Sequence, residues 1–296
     1  MLETDLPALL LVDKPEGPTS HDVIQVARRA LGLKRIGHTG TLDPFASGLL
    51  LLCVGRSTRL AEYFHLLSKT YSATAVLGAE TDTEDCTGEM TATSDEWRSL
   101  GLEAIERAAD RLRGEHDQVP PAFSAKKVAG RRAYEAARAG ATVELEARAV
   151  EVHSLAIGDV RLPEVDFVTQ VSTGTYVRSL ARDLGRDLGC GAHLSRLRRL
   201  SIGPFSVVDA VGLAELAEGA IPAGATRSAA QALSWLPTRI LSESEVSEIE
   251  HGRKIPDLAG SGAEDLPVAM LAGERLVSVG RRDSEGLRPE KVFHDD

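Results

Sequence analysis

The alternation of apolar and polar positions divides the chain into short strands and amphipathic helices. Leu9 to Asp13 is a mainly apolar run, KPEGP is turn chemistry, and Thr19 or Ser20 offers an N-cap. The helix opened by this cap is predicted to run to Gly32, because Val23, Ala27, Ala30 and Leu31 recur at helical spacing beside Arg28 and Arg29. A glycine-punctuated loop, GHTGTLDPFASG, leads straight into an apolar strand from Leu49 to Val54 that Gly55 ends. A second capped helix is expected near Ser57. Tyr71, Ala73, Ala75 and Leu77 then alternate with Ser72, Thr74 and Val76, the period of a strand with at least one buried face, and the acidic loop ETDTEDCTGE follows.

Further along, Leu102, Ile105, Ala109 and Leu112 mark one face of an amphipathic helix, and the double proline Pro120–Pro121 after it must be extended. Beyond lies the basic segment KKVAGRRAYEAARAG, then strands around Val143 to Leu155 and Val165 to Val171. The turn Ser172, Thr173, Gly174 opens a helix whose Val177, Leu180, Ala181, Leu184 and Leu188 face inward, and RLRRL comes after it. Small residues with Gly219, Pro222 and Gly224 make Ala217 to Ala230 read as a loosely ordered connection. From about Leu241 a short acidic helix and the strand-like runs LPVAML and RLVSVG outline a small second domain.

Size and composition agree with two units: 296 residues of 31.6 kDa, 43% hydrophobic and 26% charged, which excludes a disordered or fibrous chain. The longest apolar stretch is far shorter than the roughly 20 residues of a bilayer span, and the N-terminus MLETDLP is acidic, so neither a membrane segment nor a signal peptide is expected. Cys53, Cys86 and Cys190 are far apart and form no C-x-x-C pair, which argues against a disulfide framework or zinc site and for a cytoplasmic protein. The net charge of -10 counts against a polyanionic partner only as an average. Lys126 to Arg138 carries five bases against one acid, Gly174 to Ser206 six against two, while Leu241 to Asp296 has 13 acids and 7 bases. Two basic stretches that could track a phosphate backbone are thus set against an acidic tail.

The most informative loop is Gly37 to Gly48. Asp43 precedes Pro44, which pushes its backbone out of the helical region and presents a carboxylate from a fixed turn at the mouth of a buried strand. An Asp-Pro turn capping its own backbone is the competing reading. The loop lacks both the P-loop and the dinucleotide pattern, so a nucleotide cradle is excluded. Arg178 falls at the first turn of a helix, where the dipole disfavours cations; a salt bridge that keeps a catalytic carboxylate ionised would explain it, against the alternative of a solvated surface arginine.

Together DKPEGPTSHDVI, GHTGTLDPFASGLLLLCVG, KTYSATAVLGAETDTEDCTG and STGTYVRSLARDLG, in this order between about Leu9 and Phe205, resemble the motifs of the bacterial tRNA pseudouridine synthase B family, which extends to the catalytic subunit of guide-RNA-directed synthases. The resemblance implies an α/β (α+β) pseudouridine synthase fold: a large, mainly antiparallel mixed sheet flanked by helices over residues 1–235, with an RNA-gripping insertion at about 123–150, and a small β-rich, PUA-like domain at 236–296. It implies Asp43 as the catalytic carboxylate, Tyr71 stacking on a flipped-out uridine, Arg178 paired with the aspartate, Tyr176 and Leu197 lining the pocket, and His38 meeting displaced bases of the RNA loop. Arg59 would contact substrate phosphate, while Lys126, Lys127, Arg131 and Arg132 would grip the RNA backbone. Lys14 and Pro15 read as scaffold. The implied reaction isomerises uridine to pseudouridine at position 55 of the tRNA T-arm loop, in a monomer without cofactor, metal or guide RNA. An rRNA or guide-directed synthase, and an RNA-folding protein on the same scaffold, are the competing functions.

Overall fold

The computed structural model describes residues 8–122, 127–128, 131–132, 146–257 and 266–294, with 127–128 and 131–132 described as backbone. Strands β1 (Leu9–Lys14), β2 (Ile36–His38) and β3 (Ser47–Val54) build one half of a large sheet, β1 and β3 pairing antiparallel from Leu9 opposite Cys53 to Lys14 opposite Gly48. Their apolar runs are nearly unbroken because both faces are covered. Leu9, Leu11, Leu49, Leu51 and Cys53 enter one core, while Leu10, Val12, Leu50, Leu52 and Val54 enter another with Val23, Ile24 and Ala27 of helix α1 (Ser20–Leu31). The Thr19 hydroxyl and the Asp22 carboxylate form a capping box at the start of α1, and Gly32 closes it in the left-handed conformation.

The region after β3 corrects one expectation. In place of a second α-helix there are two short 3₁₀ turns, Gly55–Leu60 and Tyr63–Leu66. Val54, at the N-cap position, has no capping side chain, and the Thr58 hydroxyl bonds back to the carbonyl of Gly55, which favours the tighter turn.

The other half of the sheet comes from β4 (Lys69–Leu77), β7 (Gly114–Gln118), β10 (Arg148–Arg161), β11 (Glu164–Val171) and β12 (Ala192–Ile202), with the hairpin β5 (Ala79–Thr81) and β6 (Met90–Thr93) and the pair β8 (Lys127–Val128) and β9 (Arg131–Arg132) outside it. Short strands β13 (Phe205–Ser206), β14 (Val211–Gly212) and β15 (Thr226–Arg227) complete it. The order is β14-β1-β3-β12-β4-β11-β10-β7, antiparallel except for β1–β14 and β3–β12. RLRRL lies in β12, at the centre of the sheet. β3 and β12 approach so closely that a Cβ on Gly48, whose φ is +104°, would lie 2.2 Å from the carbonyl oxygen of Arg199. The expected loose connection after Ala217 is ordered instead: β15 pairs with β1, and Ala225 is wholly buried in the α1 core.

Helices α2 (Leu102–Arg111) and α3 (Val177–Asp187) cover one face of this sheet, with Ala108, Ala109, Val177, Leu180, Ala181 and Leu184 packed against Ala73, Ala75, Phe167 and Leu194. Leu102, at the first turn of α2, stays exposed. Two short helices, α4 (Leu213–Ala217) and α5 (Ala229–Ala232), precede the C-terminal unit, in which α6 (Glu243–Glu250) packs on a four-stranded sheet ordered β16 (Thr238–Ile240), β17 (Val268–Ala272), β18 (Arg275–Asp283) and β19 (Gly286–Val292). One face of this sheet has its own core, Ile249, Ile255, Val268, Met270, Val277 and Leu287. The other face contributes Ala269, Leu276 and Val279 to the core of Leu9, Leu11, Tyr63 and Phe64, so the small unit is docked on the large one through apolar contact. No helix among the described residues is long and apolar enough to cross a membrane.

Candidate active site

Asp43 sits on the turn before β3, where the amide of Ala46 donates to its carbonyl at 3.1 Å. Three buried side chains fix this turn. Ser20 Oγ exchanges two hydrogen bonds with the backbone of Leu42 (3.0 and 2.9 Å). Lys14 Nζ, fully buried, donates to the carbonyls of Pro15 (2.9 Å), Pro18 (2.8 Å) and Pro44 (3.4 Å). Arg199, reaching from β12, donates to the carbonyls of Leu49 (2.7 Å), Gly40 (3.1 Å) and Thr41 (3.4 Å). Both cations are satisfied by neutral carbonyls, so their charge acts on Asp43 without a neutralising carboxylate in the bond.

Opposite this turn, the first turn of α3 delivers Arg178. Its Nε lies 3.1 Å from Asp43 Oδ2, and its Nη1 donates to the carbonyl of Thr83 (2.8 Å) and to Asp85 Oδ2 (3.2 Å). Asp85 is buried, and its other oxygen accepts from Thr83 Oγ1 (2.8 Å), the Thr87 amide (2.9 Å) and the Thr87 hydroxyl. The guanidinium is thus held from behind by the 83–87 loop, with its Nε within ion-pair distance of Asp43. Burial raises the Asp43 carboxyl above the ordinary carboxylate range, Arg178 pulls it back down, the Asp85 charge opposes that, and Lys14 and Arg199 assist it. About a third of the Asp43 side chain remains open to solvent, enough for a reactant to reach it.

The wall beside this pair is apolar. Tyr71 on β4 and Leu197 on β12, 8% and 6% exposed, share a core with Leu42, Ala46 and Val177. Tyr176 occupies the N-cap position of α3, half-buried, its backbone bonded to the Gln118 amide. His38 ends β2, half-buried; burial, followed by the nearby charge of Arg199, lowers its pKa and favours the neutral ring.

The structure therefore brings Asp43 and Arg178 into contact, with Tyr71 and Leu197 in the core that floors their loop. Arg59 is placed elsewhere: its Nη1 donates to the carbonyl of Val292 at 2.7 Å and its guanidinium lies 5.0 Å from the Phe293 ring, at the junction with the C-terminal sheet. Lys126 lies outside the described residues, while Lys127 and Arg131 belong to the β8–β9 ladder in which Lys127 pairs with Arg132. Sequence reasoning missed Asp85 and Arg199. The sequence signals were present, an acid within ETDTEDCTGE and an arginine within RLRRL, but their partners lie about 90 and 150 or more positions away.

The N-terminal domain of the TruB family of pseudouridylate synthases matches residues 28–177, and the C-terminal domain of tRNA pseudouridylate synthase B matches 178–236. The chain belongs to the TruB family. Among similar proteins, the tRNA pseudouridine synthase B of Thermobifida fusca is 42% identical over 96% of this chain and 98% of its own, and that of Arthrobacter sp. 44% identical over 97% of each. Of solved structures, a Cbf5–Nop10–Gar1 complex matches with 27% identity and a TM-score of 0.75, covering 97% of this chain and 84% of that one. An H/ACA RNP bound to a substrate RNA containing 2′-deoxyuridine matches with 25% identity and a TM-score of 0.74, covering 97% and 85%. The family boundary at 236 falls just before β16, where the small sheet begins. Membership assigns the large mixed sheet to the pseudouridine synthase fold and the protein to isomerases that act on RNA.

Proposed function

We propose that this protein converts uridine to pseudouridine at position 55 in the T-arm loop of tRNA, with Asp43 as the catalytic residue. The observation that carries the reading is the Asp43–Arg178 pair: a carboxylate on a rigid turn, about a third open to solvent, whose neighbouring guanidinium favours its ionised form while burial opposes charge. The carboxylate attacks or otherwise activates the nucleotide, the bond between C1′ and N1 breaks, the freed base turns, and C5 takes the place of N1. The C5 proton is lost and N1 gains one, so atoms and electrons balance without an external reagent.

A uridine inside a folded RNA arm must leave its stack, at a cost of a few kcal/mol. Tyr71 offsets this by stacking on the base, a contact worth roughly 1–3 kcal/mol. Leu197 and Tyr176 line the same pocket, and His38, neutral and half-buried, meets the bases displaced from the loop. Lys126, Lys127, Arg131 and Arg132 grip the phosphate backbone; the antiparallel pairing of Lys127 with Arg132 supports this by bringing two of these positions side by side. Arg59 does not belong to this set; its position beside Phe293 favours a role in holding the C-terminal sheet. The names of the 42–44% identical relatives favour tRNA over a guide-directed substrate. The protein acts in the cytoplasm as a monomer, without cofactor or guide RNA. Pseudouridine mapping on bulk tRNA from cells with and without the protein tests the reading: a signal lost at position 55 alone is expected, and an unchanged position 55 overturns it.

A further inference from the structure

Helix α3 carries Arg178, yet the Tyr176 side chain makes no capping hydrogen bond at its N-terminus. The N-cap backbone is held instead by a residue from a distant strand. Gln118, the last residue of β7 and 1% exposed, accepts from the Tyr176 amide through Oε1 (2.8 Å) and donates from Nε2 to the Tyr176 carbonyl (3.1 Å). One side chain thereby pairs both backbone groups of a single residue, as a neighbouring strand would. One turn further along α3, Arg182 donates to the carbonyl of Val119 (3.1 Å) and is paired with Glu84, whose other oxygen accepts from Ser179 (2.7 Å). The helix is gripped from two sides: residues 83–85 hold Arg178, Ser179 and Arg182, while residues 118–119 hold Tyr176 and Arg182.

We propose that Gln118 is a positioning residue for the reaction: by fixing the backbone of Tyr176 it sets the first turn of α3 and so directs Arg178 at Asp43. It reaches neither Asp43 nor Arg178 itself, and it acts through two covalently linked residues of the helix. The geometry makes its loss specific. With Gln118 replaced, the 83–85 loop, the packing of Leu180, Ala181 and Leu184 and the Leu180 amide on the Tyr176 carbonyl still anchor α3, but the turn before Arg178 loses its two hydrogen bonds to β7, and small displacements of paired groups cost about one to two orders of magnitude in rate. The inference rests on the catalytic role proposed for Asp43.

The test compares the parent, Gln118→Leu and Gln118→Glu in single-turnover conversion of a T-arm stem-loop transcript across pH, with RNA binding and thermal unfolding measured alongside. Leucine removes both hydrogen bonds at similar volume, whereas ionised glutamate keeps the acceptor and loses the donor. The expected result for Gln118→Leu is a rate reduced at least tenfold, RNA affinity within about twofold of the parent, and an acid limb moved to higher pH because Arg178 no longer depresses Asp43 as strongly. Gln118→Glu falls between the two. A folded Gln118→Leu with a rate within twofold of the parent, or a slow one whose acid limb is unmoved, overturns the inference. If Gln118→Leu does not fold, Gln118→Glu decides it by the same two readouts. An inactive parent would overturn the proposed function instead, so the two failures are distinct.

Discussion

Replacing Arg178 separates its charge from its shape. Nε of Arg178 stands 3.1 Å from Asp43, and at an effective dielectric of about 20 a unit-charge pair at that distance carries roughly 5 kcal/mol. Solvent reaches a third of the Asp43 side chain and screens the pair, so about 2 kcal/mol remains as its net attraction. In Arg178→Met that stabilisation is lost. Because Arg178 acts to lower the Asp43 pKa, its removal raises it, and the acid limb of the single-turnover rate moves to higher pH. Arg178→Lys keeps a cation but has one nitrogen where the guanidinium uses Nε for Asp43 and Nη1 for Thr83 and Asp85. Its limb moves less than in the Met variant, while the plateau rate falls about 100-fold through misplacement. The assay is release of the C5 hydrogen from a labelled T-arm transcript between pH 4 and 9. A Met variant whose limb coincides with that of the parent would refute the electrostatic role, and a Lys variant at full rate would refute the geometric one.

Asp43→Asn abolishes turnover but leaves thermal stability at pH 7 equal to that of the parent or higher, because burial raises the carboxyl in the folded chain and its ionisation there opposes folding. The difference vanishes below the ordinary carboxylate range, where both chains are neutral; a large loss of stability at pH 7 would contradict this. Burial lowers Lys14 from 10.5 to about 8, so the folded chain releases this proton before the unfolded chain does, and stability from this residue rises between about pH 8 and 10.5 by up to ~3 kcal/mol and is lost as pH falls through that window. Denaturant titrations of Lys14→Met should lack that rise relative to the parent. Gly48→Ala should cost at least ~3 kcal/mol in the same titration, since it adds a methyl 2.2 Å from the Arg199 carbonyl oxygen at a φ of +104°. Charge reversal of Lys126, Lys127, Arg131 and Arg132 together should weaken RNA binding and flatten its salt slope by about 3, at roughly 0.7–0.9 per phosphate lost; an unchanged slope removes these residues from the RNA contact.

Local order was legible wherever a single element states its own environment. The capping box of Thr19 and Asp22 and the terminator Gly32 bound α1 within one residue of expectation, since caps are interactions of three or four neighbouring positions. The apolar runs at Leu9 and at Leu49–Val54 announced strands, which the fold buries on both faces, and the alternation from Tyr71 to Leu77 another strand. Asp43 was legible because Pro44 and the flanking glycines restrict a turn locally. The 3₁₀ turns after Val54 were not, because the choice between helix types rested on a missing cap and on the docking of Tyr63 and Phe64 into a core shared with Ala269 and Val279.

By itself, the sequence determined the elements, the exposed carboxylate and the family motifs, all properties of residues close in the chain. Only the tertiary structure decided which charges meet. Asp85 behind Arg178, Arg199 behind the Asp43 turn and Gln118 on Tyr176 are contacts across 93, 150 and 58 positions, and Arg59 is drawn to a carbonyl 233 positions away. A guanidinium or a buried amide binds whatever acceptor the folded sheet puts within about 3 Å, and its local sequence carries no record of that partner.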